Sequence, residues 1–154
     1  MAHNARSHAL LFYHFVWSTK YRDPLIDSDL EPVLRHLFDA KAGELGITIL
    51  EANGTSDHVH VLVRSRTDVS PAAIAKHLKG NSSHFINHVV FKNDPCRHFY
   101  WQNGFSVISI SPQAVCSVGR YIRNQKQHHG EKTLNASLEA THEQVDETEE
   151  NEED

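Results

Sequence analysis

The sequence predicts an α+β protein of the ferredoxin-like type, a βαββαβ sandwich in which two helices cover a four-stranded antiparallel sheet. Three observations predict this class. The 154 residues suit a single domain. Four segments are rich in β-branched and aromatic residues, and two segments with helical periodicity separate the first strand from the second and the third from the fourth. An extra helix is predicted after the fourth strand.

The first strand and the first helix have clear local signals. Residues 8–19 are mostly aromatic or β-branched, which favours a strand. Apolar residues recur at helical spacing from Leu30 to Leu45, which predicts a helix. Asp27 or Ser28 can cap the start of this helix, and Gly46 can end it.

The middle of the chain predicts a hairpin followed by a second helical region. Residues 47–52 and 57–64 are predicted as paired strands, with Asn53-Gly54 as their turn. Pro71 can open a helix that continues to about residue 91, either unbroken or with a break at Gly80.

The last two elements are a strand and a helix. Residues 105–110 alternate as a fourth strand. Ser111 is a favourable N-cap and Pro112 suits the first turn, so a final helix is predicted to about His128. The ferredoxin-like βαββαβ pattern does not include this third helix, so we expect the helix to have a separate role.

The charges are segregated along the chain. The formal net charge is −5, but residues 139–154 hold nine acidic residues and no Lys or Arg. Residues 1–138 hold all 15 basic residues and 11 acidic ones, a net charge of +4, which is compatible with a nucleic-acid partner. We expect one domain over residues 1–138 and a disordered acidic tail over 139–154. The tail is either a solvated segment or a competitor of nucleic acid for the basic surface.

Cysteine content and hydropathy argue against a disulfide-rich protein, a CxxC metal site and a membrane protein. Cys96 and Cys116 are too few for a disulfide framework and too far apart for a CxxC metal site. No apolar run approaches the roughly 20 residues of a membrane helix, and the N-terminal residues lack a signal-peptide pattern. We expect reduced thiols, no membrane contact and a cytoplasmic location.

His58 and His60 are separated by one residue within a predicted strand. Strand side chains alternate between faces, so both imidazoles leave the same face and can bind one divalent cation. Val59, Val61 and Val63 then point toward the core. With 13 histidines in the chain, about one such pair is expected by chance. A structural role for the pair therefore stays open.

Tyr121 and Gln125 lie four residues apart in the final helix and share one of its faces. Val115, Val118 and Ile122 can anchor that helix to apolar surface. An interfacial tyrosine beside a solvated glutamine is the structural alternative.

Together, the two pairs form a coherent chemical set. A Gln amide oxygen can complete a two-histidine site, and this mixture of donors suits Mg²⁺ or Mn²⁺ better than structural zinc. Such an ion would polarise a phosphodiester, and Tyr121 would attack its phosphorus in line. A phenol is a weak nucleophile, so the cation or a nearby base must favour its phenolate.

Five segments, in order, resemble the successive motifs of the single-tyrosine HUH transposases, the short transposases of the smallest bacterial insertion sequences. These segments are Ser18-Thr19-Lys20-Tyr21-Arg22, Asp57-His58-Val59-His60-Val61-Leu62-Val63, Lys79-Gly80-Asn81-Ser82-Ser83, Tyr100-Trp101-Gln102-Asn103-Gly104, and Tyr121-Ile122-Arg123-Asn124-Gln125 with the following His128-His129. The resemblance covers roughly residues 8–130 and leaves out the acidic tail.

The resemblance implies roles for individual residues. It implies that His58, His60 and Gln125 bind the metal and that Tyr121 is the nucleophile. The implied activity is to cut and rejoin single-stranded DNA with terminal hairpins at the ends of a mobile element, through a 5′-phosphotyrosine and a free 3′-hydroxyl. The implied assembly is a homodimer in which the tyrosine helix of one subunit can serve the metal site of the other. The sequence leaves open which subunit supplies Tyr121.

Other side chains are candidates for holding the DNA. The candidates for phosphate contact are Lys20, Arg22, Lys79 and Arg123. Taken singly, each of them is more often a solvated surface charge. Tyr21, Tyr100 and Trp101 can stack on unpaired bases, although Trp101 also suits the core. His128 is a candidate proton shuttle for Tyr121, or simply a helix-end histidine.

Two other functions stay compatible with the sequence. One is a non-mobilising protein on the same fold that only binds nucleic-acid hairpins. The presence of the two histidines, the tyrosine and the glutamine argues against it, because binding alone needs no such set. The other is a regulatory protein that binds a signal ion through His58 and His60. The two-histidine phosphoesterases are excluded, because none of the 13 histidines is followed two positions later by Ser or Thr.

Overall fold

Four strands form one antiparallel sheet in the order β2-β3-β1-β4 in the computed structural model, which describes residues 7–127. The elements are β1 (Leu11–Ser18), α1 (Leu30–Leu45), β2 (Thr48–Gly54), β3 (His58–Ser65), α2 (Pro71–Phe85), β4 (Ser106–Ile110) and α3 (Val115–Arg123). The βαββαβ order confirms the predicted α+β class. Within the described residues, no helix has the length and apolar character to cross a membrane.

Helices α1 and α2 cover the apolar face of the sheet. Phe15 and Trp17 of β1 and Val61 of β3 are fully buried on this face, together with Phe38 of α1 and Leu78 of α2. Burial of each side chain of this kind contributes about 1.5–3 kcal/mol. This layer therefore supplies most of the buried apolar surface that stabilises the fold.

Helix α3 lies on the opposite face of the same sheet. Its Val118 and Ile122 pack against Leu62 of β3, with Val115 at the edge of this second, smaller cluster. The predicted apolar anchors of the final helix are confirmed. The same face of the sheet, called the polar face below, also carries the buried polar residues His14, Ser18, His58 and His60.

The predicted ends of α1 are confirmed. The Asp27 carboxylate accepts a hydrogen bond from the backbone N–H of Leu30 at 2.8 Å, so Asp27 caps the helix with its side chain. Gly46 ends it in the left-handed conformation, with φ of 71°.

The predicted Asn53-Gly54 turn is wrong, and of the two alternatives left open for the second helical region the unbroken one is observed. Asn53 and Gly54 belong to β2, and the connection to β3 is made by residues 55–57. Gly54 is needed there because a Cβ would lie 2.1 Å from the carbonyl oxygen of His58. Helix α2 continues through Gly80, since Leu78 and Ser82 on either side of it are fully buried and hold the helix in place.

The final helix is less regular than predicted. A 3₁₀ turn over Pro112–Ala114 precedes α3, and the Ser111 side chain makes no capping hydrogen bond. Asn124 leaves the helical conformation, with φ of −95° and ψ of 18°. His128, the predicted domain boundary at residue 138 and the predicted acidic tail lie outside the described residues.

Candidate active site

Strand β3 places two histidines side by side on the face that α3 covers. Because strand side chains alternate, His58 and His60 point away from the valines that face α1 and α2. Both imidazoles are buried, and their ring centroids are 5.2 Å apart. The structure thus brings the two predicted metal ligands together.

The Nδ1 atom of each imidazole is held by a neighbouring side chain. His58 Nδ1 lies 2.7 Å from an Asp57 carboxylate oxygen and 3.0 Å from the Thr55 hydroxyl oxygen. His60 Nδ1 lies 2.9 Å from Nε2 of His14, a buried residue of β1. Carboxylates and similar partners orient metal-binding histidines in this way. A metal ion would therefore be bound through Nε2 of both rings.

Asp57 connects His58 to one of the predicted DNA contacts. The Arg22 guanidinium lies 3.5 Å from the Asp57 carboxylate. Burial raises the pKa of Asp57, but its hydrogen bond to His58 and the charge of Arg22 outweigh this effect and lower the pKa below its usual value of 3.8. Asp57 is therefore an anionic acceptor at neutral pH, suited to an N–H donated by His58.

Tyr121 lies beside this pair in the same chain. The apolar contacts of Val118 and Ile122 fix α3 against β3. As a result the Tyr121 ring is half-buried, and its centroid is 6.3 Å from that of His60. The predicted nucleophile and one predicted metal ligand are thus neighbours.

Gln125 follows the irregular residue Asn124 and is fully buried. The residues around it are fixed by Asn53, which pairs with His60 across the sheet. Asn53 Nδ2 donates to the carbonyl of Arg123 at 3.0 Å, and Lys126 Nζ donates to Asn53 Oδ1 at 2.8 Å. The segment that carries Gln125 is therefore held above the strand position opposite His60.

The donor types limit which metal site can form here. Among residues 7–127, no three His, Cys, Asp or Glu side chains are grouped so that they could hold a metal ion. Within this range, a third donor to a site at His58 and His60 would be of another type, such as the amide oxygen of Gln125. Two nitrogens and one oxygen leave coordination positions for phosphate oxygens.

The predicted DNA contacts have different surroundings. Lys20 is exposed, and Arg123 is exposed but donates to Glu51 at 2.8 Å. Lys79 is half-buried and donates to the carbonyls of Gln102 and Gly104, both at 2.7 Å. The carbonyl contacts give Lys79 a structural role, and its contact with phosphate stays a prediction.

Sequence reasoning missed two residues of this face. His14 lies on β1 and reaches His60 because β1 pairs with β3. Gln102 is buried, and its Oε1 accepts hydrogen bonds from the backbone N–H and the hydroxyl of Ser18, the strand residue opposite His58. The alternation of β1, with Phe15 and Trp17 on the apolar face, was the available signal for His14. Nothing local to Gln102 indicated its contact.

Comparison with known proteins decides the family. The family model described as "Transposase IS200 like" matches residues 7–125, most of the chain. The chain belongs to the IS200-like transposases. Among curated relatives, this transposase is 23% identical to the ISDra2 transposase TnpA of Deinococcus radiodurans over 117 residues, 75% of this chain and 84% of the relative.

Two solved structures share the fold of this IS200-like transposase. A transposase structure from Deinococcus radiodurans has a TM-score of 0.62 and 23% identity, with 81% of this chain and 98% of that chain covered. A REP-associated tyrosine transposase bound to a REP hairpin has a TM-score of 0.60 and 16% identity, with 84% of this chain and 75% of that chain covered. These similarities confirm the α+β fold with its four-stranded sheet.

Proposed function

We propose that this IS200-like transposase cuts and rejoins single-stranded DNA through Tyr121, with Mg²⁺ or Mn²⁺ held by His58, His60 and Gln125. The observation that carries the proposal is the 6.3 Å distance between the rings of His60 and Tyr121 on the polar face of the sheet. A phenol at this distance from a metal-binding imidazole can share a phosphate with the bound ion.

The contacts of the two histidines support the proposed donor set. Asp57 accepts the Nδ1–H of His58, and His14 can accept the Nδ1–H of His60. The contact with Asp57 selects the His58 tautomer in which Nε2 carries the lone pair that a metal needs, and the contact with His14 is compatible with the same tautomer of His60. With the oxygen of Gln125, the set is neutral and mixed, which suits Mg²⁺ or Mn²⁺ on a phosphate substrate.

The proposed reaction exchanges one phosphodiester for another. A bound divalent ion would polarise the phosphate oxygens. The phenol oxygen of Tyr121 forms a bond to phosphorus, and the bond from phosphorus to the 3′ oxygen of the preceding nucleotide breaks. The phenol gives up a proton and the leaving 3′ oxygen takes one up. The products are a 5′-phosphotyrosine and a 3′-hydroxyl, and attack by a 3′-hydroxyl reverses the step without an external energy source.

The substrate and the assembly form the second part of the proposal. The hairpin bound by the REP-associated relative supports a single strand with terminal hairpins as substrate. A homodimer is proposed from the family resemblance. In the structure the rings of Tyr121 and His60 are neighbours within a single chain. Each subunit of such a dimer would therefore contain one candidate site. The role of His128 as a proton shuttle stays a prediction.

Covalent capture tests the proposal. We expect wild-type protein, a hairpin-bearing single strand and Mg²⁺ or Mn²⁺ to give a protein–DNA adduct that survives denaturing electrophoresis. Tyr121→Phe should give none, because it lacks the phenol oxygen that bonds to phosphorus. Tyr13→Phe is the matched control, since Tyr13 packs with the core on the other face of the sheet.

Three outcomes separate the candidate functions. An adduct formed by Tyr121→Phe would show that another residue is the nucleophile. Hairpin binding by the wild type without any adduct would favour the non-mobilising hairpin-binding protein. Binding of Mn²⁺ with neither DNA binding nor an adduct would favour an ion-sensing protein.

A further inference from the structure

An exposed groove of about 330 Å³ opens where the chain leaves β1. Its lining includes three rings, those of Tyr21, Tyr100 and His98, and two charged side chains, Lys20 and Asp23. The rings of His98 and Tyr100 are nearly parallel, with centroids 5.9 Å apart. The size of the groove lies at the lower end of the range for small-ligand sites.

Two tyrosine rings of this groove face solvent. Tyr21 is 78% exposed and Tyr100 is 51% exposed, whereas the neighbouring Trp101 is buried in the core. Lys20 Nζ lies 5.4 Å from the centroid of the Tyr21 ring and 5.9 Å from that of Tyr100. Core packing therefore accounts for Trp101 but leaves the exposure of the two tyrosines unexplained.

The backbone that presents Tyr21 is strained. Tyr21 and Arg22 both adopt the left-handed backbone conformation, with φ of 58° and 53°. Residues other than glycine rarely adopt this conformation. Thr19 holds the turn, because its hydroxyl donates to the carbonyl of Asp23 at 2.6 Å and its N–H donates to the carbonyl of Asp57 at 2.8 Å. Strain that the surrounding structure maintains in this way is concentrated at ligand sites.

The groove is linked to the candidate active site through short contacts. Arg22, next to Tyr21 in the chain, lies 3.5 Å from Asp57, and Asp57 lies 2.7 Å from His58. The backbone N–H of Lys20 also donates to the carbonyl of Tyr100 at 2.9 Å, which fixes the two walls of the groove relative to each other. The groove therefore lies next to the Arg22–Asp57–His58 chain of contacts that leads to the candidate active site.

We propose that this groove holds an unpaired nucleobase of single-stranded DNA, stacked on Tyr21 and Tyr100, with a neighbouring phosphate at Lys20. The inference rests on the proposed function, since it extends the path of the DNA strand. The Asp23 carboxylate in the lining repels a phosphate, so the neutral base enters the groove and the phosphate stays at the rim. Aromatic rings stack on any base, so the groove would grip the strand with little sequence preference.

Binding measured with and without bases tests the groove. The probes are a fluorescein-labelled oligothymidine and an oligomer of equal length with abasic sites throughout, and affinity is measured by fluorescence anisotropy in the Tyr121→Phe background. The wild-type groove should favour the thymidine strand. Tyr21→Ala or Tyr100→Ala should weaken binding of that strand by about 5- to 100-fold and leave binding of the abasic strand unchanged.

Three further variants sharpen the result. Tyr21→Phe should retain the preference for bases, because it keeps the ring. Lys20→Gln should weaken the two strands equally, because it removes a phosphate contact. Phe85→Ala is the matched control, since Phe85 is a partly exposed ring of α2 that does not line the groove.

The failure of the groove and the failure of the proposed function are distinguishable. If Tyr21→Ala and Tyr100→Ala bind both strands like the wild type, the groove proposal is wrong even when the wild type forms the covalent adduct. If no adduct forms but the tyrosine variants lose the preference for bases, the groove stands and the proposed cleavage falls.

Discussion

The two faces of the sheet have opposite chemistry, although the same strands build them. In β3 the valines at positions 59, 61 and 63 face α1 and α2, whereas His58 and His60 face α3. Both sets are buried. One alternating strand therefore contributes core residues to one face and candidate catalytic residues to the other. Substitutions on the first face should change mainly the free energy of unfolding, and substitutions on the second mainly the rate of cleavage.

The polar face needs more support from its surroundings than the apolar face. A buried valine needs only close packing, whereas a buried imidazole is unfavourable unless its nitrogens are hydrogen-bonded. Asp57 and Thr55 hydrogen-bond to Nδ1 of His58, and His14 hydrogen-bonds to Nδ1 of His60. This requirement makes the polar face dependent on loops and neighbouring strands, and the apolar face dependent mainly on the two covering helices.

The largest expected effect separates adjacent residues of β3. His60→Ala should reduce cleavage by more than about 100-fold, the upper range for residues that only orient a metal ligand. Val61→Ala should lower the free energy of unfolding by about 2–3 kcal/mol, because it removes buried methyl groups and leaves a cavity. Covalent adduct formation and urea unfolding, measured on both variants, check the pair.

The reverse pattern would break the comparison of the two faces. If His60→Ala lost DNA binding as strongly as cleavage, and unfolded as readily as Val61→Ala, the histidines would have a structural role. His58→Ala provides a second test of the same face, and we expect it to behave like His60→Ala.

The elements that sequence predicted well have local causes. The bounds of α1 follow from its apolar stripe, the carboxylate of Asp27 and the left-handed Gly46. The faces of β3 follow from alternation alone. The anchors of α3, such as Val118 and Ile122, follow from helical spacing. In each case the signal lies within one turn or one strand of the residue that it describes.

The parts that sequence missed depend on contacts between distant segments. His14 reaches His60 across 46 residues of chain through the pairing of β1 with β3. Gln102 reaches Ser18 across 84 residues. The Lys79 ammonium donates to the carbonyls of Gln102 and Gly104, which the loop after Trp101 brings back to α2. No periodicity in one segment reports such contacts.

A smaller effect is expected from His14, which should act on the metal site through His60. His14→Ala should weaken Mn²⁺ binding by about 10- to 100-fold, because His60 loses the partner that orients its ring. His14→Gln should recover most of this affinity, since its amide oxygen can accept the same N–H. Val16→Ala is the control for packing, as Val16 is a buried neighbour on the same strand.

Calorimetric titration with Mn²⁺ gives the affinity directly, and urea unfolding gives the stability of each variant. If His14→Ala and Val16→Ala weakened Mn²⁺ binding equally, or if His14→Gln failed to recover it, His14 would be a packing residue rather than a positioning residue.

The smallest expected effect concerns Lys79, which joins α2 to the loop that supplies Gln102 to the polar face. Burial lowers the pKa of Lys79 to about 8, against 10.5 for an ordinary lysine. Between these pH values the native protein holds fewer protons than the unfolded chain, so the free energy of unfolding rises as pH increases through this window. The side chain is half-exposed and solvent screens its charge, so we expect a rise of about 1 kcal/mol.

Lys79→Met should lack this rise while other titrating groups affect both proteins equally. Urea unfolding of the wild type and of Lys79→Met, near neutral pH and at the upper end of the window, isolates the contribution of Lys79. Equal changes with pH in the two proteins would mean that the ammonium is as favourable in the fold as in water.

The same variant also tests whether the two faces are independent. The backbone of Gln102 is held by Lys79 and its side chain is bonded to Ser18, so a loss of cleavage in Lys79→Met with DNA binding unchanged would show that support for the polar face passes through α2.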